Sequence, residues 1–140
     1  MKLDKSNIDQ YIYGTRLNCY AEDITSIEDI PDYITSIYCH NNNLTSLPKL
    51  PDGLVELYCH YNNLTTLPKL PDSLEHLNCS DNNLTILPYL PDSLVYLSCW
   101  NNNLTSYPEN TNYKQWIIQH NNQLKLDNRI KIINKINDHQ

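Results

Sequence analysis

Cysteine recurs at Cys19, Cys39, Cys59, Cys79 and Cys99, every 20 residues without a slip. A fixed period sustained over that length marks a repeat architecture, in which each unit stacks on the next and cannot bury its core alone. Residues in one register of such a repeat are lattice positions. The thiols therefore read as packing elements rather than as catalysts or ligands. Other columns keep the same register: Asn42, Asn62, Asn82, Asn102 and Asn122, and Leu44, Leu64, Leu84, Leu104 and Leu124, with Ile24 leading. All eight prolines fall in two columns, Pro31, Pro51, Pro71, Pro91 and Pro48, Pro68, Pro88, Pro108. Four clear units start at Ile30, Leu50, Leu70 and Leu90. A degenerate unit precedes them at residues 14–29, and another follows, with Ile117 at a leucine position and Gln119 at the cysteine position.

Within a unit the pattern is L-x-x-L-x-C-x-x-N-x-L, as in Leu54, Leu57, Cys59, Asn62 and Leu64. Leu57-Tyr58-Cys59 alternates inward, outward, inward, which predicts a short strand. Equivalent strands then stack in parallel at about 4.8 Å. The return segment carries two prolines three residues apart, which remove donors and push their preceding residues out of the α region. An extended, polyproline-II-like path is expected there rather than a helix.

The asparagine column has a definite task. A buried carboxamide must be satisfied, and it has both donors and an acceptor, so stacked asparagines can bond the backbone of neighbouring turns. Asn42 through Asn122 are expected to form such a ladder. Asp32, Asp52, Asp72 and Asp92 are placed at the bend entering each strand, where Asp caps local amides. Their spacing lacks the clustered pattern of calcium loops. The five cysteines are read as a file of small buried hydrophobes. Disulfides and metal binding are the alternatives. In-register parallel side chains point the same way, and zinc wants clustered tetrahedral ligands rather than a linear file.

Units such as LPKLPDGLVELYCHYNNLTT and LPYLPDSLVYLSCWNNNLTS carry a resemblance over roughly residues 14–126. The chain resembles short, 20-residue leucine-rich-repeat proteins, above all the bacterial secreted effectors with LPxLPxxLxxLxxxxNxLTxLP units; giant viruses and protozoa use similar repeats. The resemblance implies a right-handed, gently curved solenoid with short parallel β-strands on the concave face. It departs from the family in carrying cysteine where an aliphatic residue is usual. Nothing after Leu126 has the length of the ubiquitin-ligase domain that some members carry, so ligase activity is not carried over.

The expected organisation is an N-terminal cap at 1–13, about six repeats at 14–126, and a short capping helix and tail at 127–140. The helix is read from Ile130, Ile133 and Ile136, with Asp127 as N-cap. A final strand is the alternative, because Ile130 and Ile132 also alternate. Ile8 to Tyr13 is expected to be strand-like. A net charge of −6 leaves no basic stripe for nucleic acid and disfavours an anionic membrane. No apolar run approaches a membrane span, and the start lacks the apolar core of a secretory signal. A reducing compartment, the cytoplasm of the source or host cell, is expected.

The outward columns carry the functional signal. Around each strand they read Arg16, Ser36, Glu56, His76, Tyr96, Trp116; then Asn18, Tyr38, Tyr58, Asn78, Ser98, Ile118; then Tyr20, His40, His60, Ser80, Trp100, His120; with Tyr61 and Asp81 in the next. Both tryptophans of the chain and four of its five histidines fall in them. Exposed aromatics mixed with polar groups are what protein-binding hot spots look like. Cross-strand stacking for stability is the plainer reading. The candidate partner-binding residues are Tyr38, His40, Glu56, Tyr58, His60, Tyr61, His76, Tyr96, Trp100, Trp116 and His120. Tyr38, Tyr58, Tyr96, Trp100 and Trp116 are the anchors, and His60, His76 and Glu56 supply polar specificity. His40, His60 and Glu56 lack a third strong ligand, so no metal is expected. No nucleophile–base pair, phosphate loop or metal motif supports catalysis, and no cofactor is expected. The sequence thus predicts a monomeric, non-enzymatic module binding a protein partner, with a structural or self-assembling protein as the alternative.

Overall fold

The computed structural model describes residues 1–105 and 113–137. The chain forms two compact units, Met1–Tyr107 and Pro108–Gln140. In the first, the repeat's strand recurs as β3 (Arg16–Asn18), β5 (Ser36–Tyr38), β6 (Glu56–Tyr58), β7 (His76–Asn78) and β8 (Tyr96–Ser98). Each pairs in parallel with the next in a register shifted by one period: Leu17 faces Ile37, Ile37 faces Leu57, Leu57 faces Leu77, and Leu77 faces Leu97. The result is a parallel-strand solenoid of about five turns.

The core follows from the alternation. In one turn Leu54, Leu57, Cys59 and Leu64 are fully buried, and Leu67 and Leu70 nearly so. The return path has no regular secondary structure, as two prolines per turn require. It re-enters the strand through a tight turn in which the Pro31, Pro51, Pro71 and Pro91 carbonyls accept from the amides of Ile34, Leu54, Leu74 and Leu94, each at 3.1 Å. Asp32, Asp52, Asp72 and Asp92 sit exposed in these turns. Ser73 and Ser93 tie successive turns together, their hydroxyls donating to the Leu54 and Leu74 carbonyls at 2.7 and 2.6 Å.

The first thirteen residues differ from a simple strand. β1 (Lys2–Leu3) pairs in parallel with β4 (Ser26–Ile27), away from the main sheet. A 3-10 helix at Ile8–Tyr11 follows, then β2 (Ile12–Tyr13), antiparallel to β3. Gly14 has φ +63°, the first position of a two-residue hairpin loop, where a side chain would be strained. Leu3 and Ile8 are buried.

The second unit departs furthest from the sequence reading. α1 (Tyr113–Asn137) is one helix of 25 residues, so the proposed boundary at 126/127 falls inside it. Trp116, Ile118, His120 and Asn122 are helical, not strand or ladder residues. The cause lies in what this unit lacks. Asn110, Thr111 and Lys114 stand where earlier units have Leu, Pro and Leu, and no proline or glycine follows Pro108. The anchors of strand entry are gone and nothing breaks a helix. On α1, Ile117 and Asn121 are buried, whereas Ile118, Leu126, Ile130 and Ile132 are exposed. The side chains of Ile133 and Ile136 lie outside the described residues.

Candidate functional site

The strand face is held in place by asparagines. The Asn62 carboxamide oxygen accepts from the Leu44 amide at 2.9 Å, and its nitrogen donates to the Cys39 and Cys59 carbonyls at 3.0 and 3.1 Å. Asn82 repeats the pattern one turn on, with Leu64, Cys59 and Cys79. Asn42 and Asn102 do the same at either end. Each side chain thus bridges two turns and leaves no buried amide wanting. Asn122 is exposed on α1 and takes no part.

Just before each ladder asparagine the backbone turns through a left-handed residue. Asn41, Tyr61, Asp81 and Asn101 have φ of 54°, 53°, 51° and 53°, and Ala21 has 57°. Asn and Asp tolerate this region better than other side chains. Sequence reading missed the corner, although three of its five residues are of the tolerant kind.

On the first three repeat strands, β3, β5 and β6, two stacked files run beside the cysteines. In one, Arg16 lies over the Tyr38 ring at 5.2 Å, and Tyr38 stacks on Tyr58 at 5.0 Å with rings 6° from parallel. In the other, Tyr20 stacks on His40 at 5.1 Å and His40 on His60 at 4.4 Å, with Tyr61 edge-on to His60 at 5.7 Å. His76 and Tyr96 stack at 6.2 Å. Trp100 is 55% exposed and Tyr61 51%. Arg16 and Tyr20 belong to the files but not to the residues first singled out; their place in the same columns was the available signal. Trp116 and His120 stack on each other within α1 at 5.1 Å.

The electrostatics of the face follow from these contacts. The Tyr38 hydroxyl donates to Glu56 at 2.7 Å. That bond, with one from Ser36, holds the Glu56 carboxyl below its ordinary range, and it raises Tyr38 in turn. Glu56 stays ionised and Tyr38 protonated. Burial lowers both His40 and His60; the neighbouring His40 lowers His60 further, while Asp81 opposes it. The Nδ1 atoms of both rings are buried without a hydrogen-bond partner. An unprotonated Nδ1 suits such a site, leaving Nε2–H as the donor. Near-parallel rings send their lone pairs along parallel lines, which does not converge on a metal. Among the described residues no group of three or more His, Cys, Asp or Glu is placed to hold one.

The thiols are free and buried. Burial pushes Cys19 up to about 12 and Cys99 to about 11, and raises Cys39, Cys59 and Cys79 as well. None is a thiolate near neutral pH, so none is an activated nucleophile.

The solenoid is similar to the repeat domain of a Shigella effector, at 37% identity and a TM-score of 0.65, over 69% of this chain and 44% of that one. The chain is a leucine-rich-repeat protein. Its repeats are similar to those of bacterial effectors. YopM from Yersinia enterocolitica also matches, at 27% identity and a TM-score of 0.47, over 63% of this chain and 25% of that one. The repeat protein thus spans less than half the length of either relative. No protein-family model matches it, and no curated protein sequence does. No helix among the described residues is long and apolar enough to cross a membrane.

Proposed function

We propose that the chain is a non-enzymatic interaction module whose strand face binds a protein partner in the cytoplasm of the source or host cell. The observation that carries this is the pair of stacked files, Tyr38–Tyr58 and Tyr20–His40–His60, on a face that also exposes Tyr61, Tyr96 and Trp100. A half-exposed tryptophan among these rings is what a binding anchor looks like. The scaffold is rigid, tied by the asparagine ladder, so little ordering cost is incurred on binding. Residues 1–13 serve as the N-terminal lid, with Leu3 and Ile8 buried. The likeness to the repeat domain of a Shigella effector supports an interaction module in general.

The test is affinity capture from the native cellular context with the whole chain, comparing wild type with a Tyr58→Ala/Trp100→Ala double variant. Loss of a captured partner supports the reading; unchanged capture rejects the strand face. A second reading, self-association, is favoured by Ile118, Leu126, Ile130 and Ile132, all exposed on α1. Light scattering after size exclusion separates the two, since a concentration-independent monomer removes the second.

A further inference from the structure

We infer that the corner formed by Tyr61, His60 and Asp81 is a cation subsite, receiving a lysine or arginine side chain from a basic segment of the partner; this rests on the interaction reading above. The first observation is Tyr61 itself. Its backbone position, with φ +53°, is filled elsewhere by Ala21 and by Asn41, Asp81 and Asn101, and of these the Asn and Asp residues tolerate it best. A tyrosine there costs stability, and its ring is 51% exposed with one edge contact to His60, so burial does not offset the strain. Strain retained at an exposed aromatic points to use rather than packing.

The second observation is the carboxylate beside it. Asp81 follows Tyr61 in the corner column, where the Asn62 amide donates to the Asp81 carbonyl at 3.2 Å. One of its carboxylate oxygens accepts from Asn101 at 2.5 Å, and the other is buried without a hydrogen-bond partner. Asp81 also lines a groove of about 340 Å³ whose other walls are asparagines, among them Asn63, Asn83 and Asn103. An extended ammonium or guanidinium chain meets only one carboxylate and neutral amides there, and Tyr61 precedes the groove's Asn62 and Asn63 in the chain.

The third observation is the charge around it. Residues 1–107 hold five Lys and Arg against thirteen Asp and Glu, a formal charge of −8. The ion pairs found among the described residues are Lys2–Glu28, Lys5–Asp29 and Lys49–Asp52, none on the strand face. Arg16 is the one Lys or Arg in the strand-face columns of this unit, and it lies over Tyr38. Glu56 and Asp81 therefore draw a cationic partner and repel an acidic one.

The test uses the whole chain and two fluorescein-labelled peptides, one of alternating lysine and glycine, the other of alternating glutamate and glycine, read by anisotropy at low salt. The lysine peptide should bind and the glutamate peptide should not. Tyr61→Asn and Asp81→Asn, which install the column's own residue, should each weaken binding roughly 3-fold or more. Asp72→Asn removes the same charge from an exposed turn and should change little. Tyr61→Asn should also raise Tm by a few degrees. Equal binding of both peptides, an Asp72→Asn effect as large as that of Asp81→Asn, or a Tm lowered by Tyr61→Asn would each overturn the cation subsite. If natural capture is lost in the Tyr58→Ala/Trp100→Ala variant but kept in Tyr61→Asn and Asp81→Asn, the subsite fails while the strand-face reading stands. If all of these variants capture normally, both fail.

Discussion

The solenoid and α1 are built from sequence that looks continuous in register, yet one coils every 20 residues and the other is a straight run of helix. Leu104 and Leu124 fall in one column, as do Asn102 and Asn122. What separates them is the proline pair and the strand-entry leucine. Where Leu90, Pro91 and Leu94 open a turn, Asn110, Thr111 and Lys114 do not. A periodic column is thus permissive; the residues that forbid the alternative decide.

The ladder offers the sharpest way to break that comparison. Asn62→Ala strands the Leu44 amide and removes three carbonyl contacts, and it should cost roughly 3–4 kcal/mol of stability. Asn122→Ala, at an exposed helical site, should stay within about 0.5 kcal/mol. Urea unfolding of both variants measures the difference, and equal losses would put Asn122 back in the ladder. Next in size is Gln119→Pro, which should cost the helix about 3 kcal/mol and lower the far-ultraviolet helical signal. An unchanged helical signal would mean that Gln119 does not sit in a helix interior.

Cys59→Ser comes third. A hydroxyl replaces a fully buried thiol among leucines and should destabilise by roughly 1–3 kcal/mol, read from the shift in urea midpoint. In the wild type all five thiols should react slowly in native buffer and fast in denaturant. The smallest effect is that of pH. His40 and His60 have lowered folded-state values, so the unfolded chain takes up protons first on acidification. Their stabilising contribution is complete above about pH 6.5 and declines as pH falls below it. The groups known to face them are Tyr20, Tyr61 and Asp81, and only Asp81 opposes the shift. A His40→Gln/His60→Gln variant should show a flatter urea midpoint between about pH 7 and pH 5; an unchanged slope would remove the histidine file as the cause.

Most of the solenoid was legible because its period never slips. Leu57, Cys59 and Asn62 could be placed inward by alternation and chemistry alone. The neighbours on the face were legible too, since equal positions in successive units must adjoin. Ring orientation was not: nothing in the columns says that Tyr38 leans its hydroxyl onto Glu56, or that Arg16 covers the same ring. The left-handed corner was visible only as an excess of Asn and Asp. The hairpin at Gly14 and the pairing of Lys2–Leu3 with Ser26–Ile27 come from contacts outside the repeat, which the period cannot report. Trp116 and His120 were misplaced because spacing was trusted where strand entry had been lost.

Because each asparagine clasps only its own coil and the one before, the protein behaves like beads of identical cut threaded on a rod. Removing or duplicating one bead, for example residues 61–80, leaves every remaining clasp a mate of the same shape. Recognition can therefore be lengthened, shortened or reshuffled by whole coils, and a lineage carrying such a gene can try new surfaces without inventing a new core.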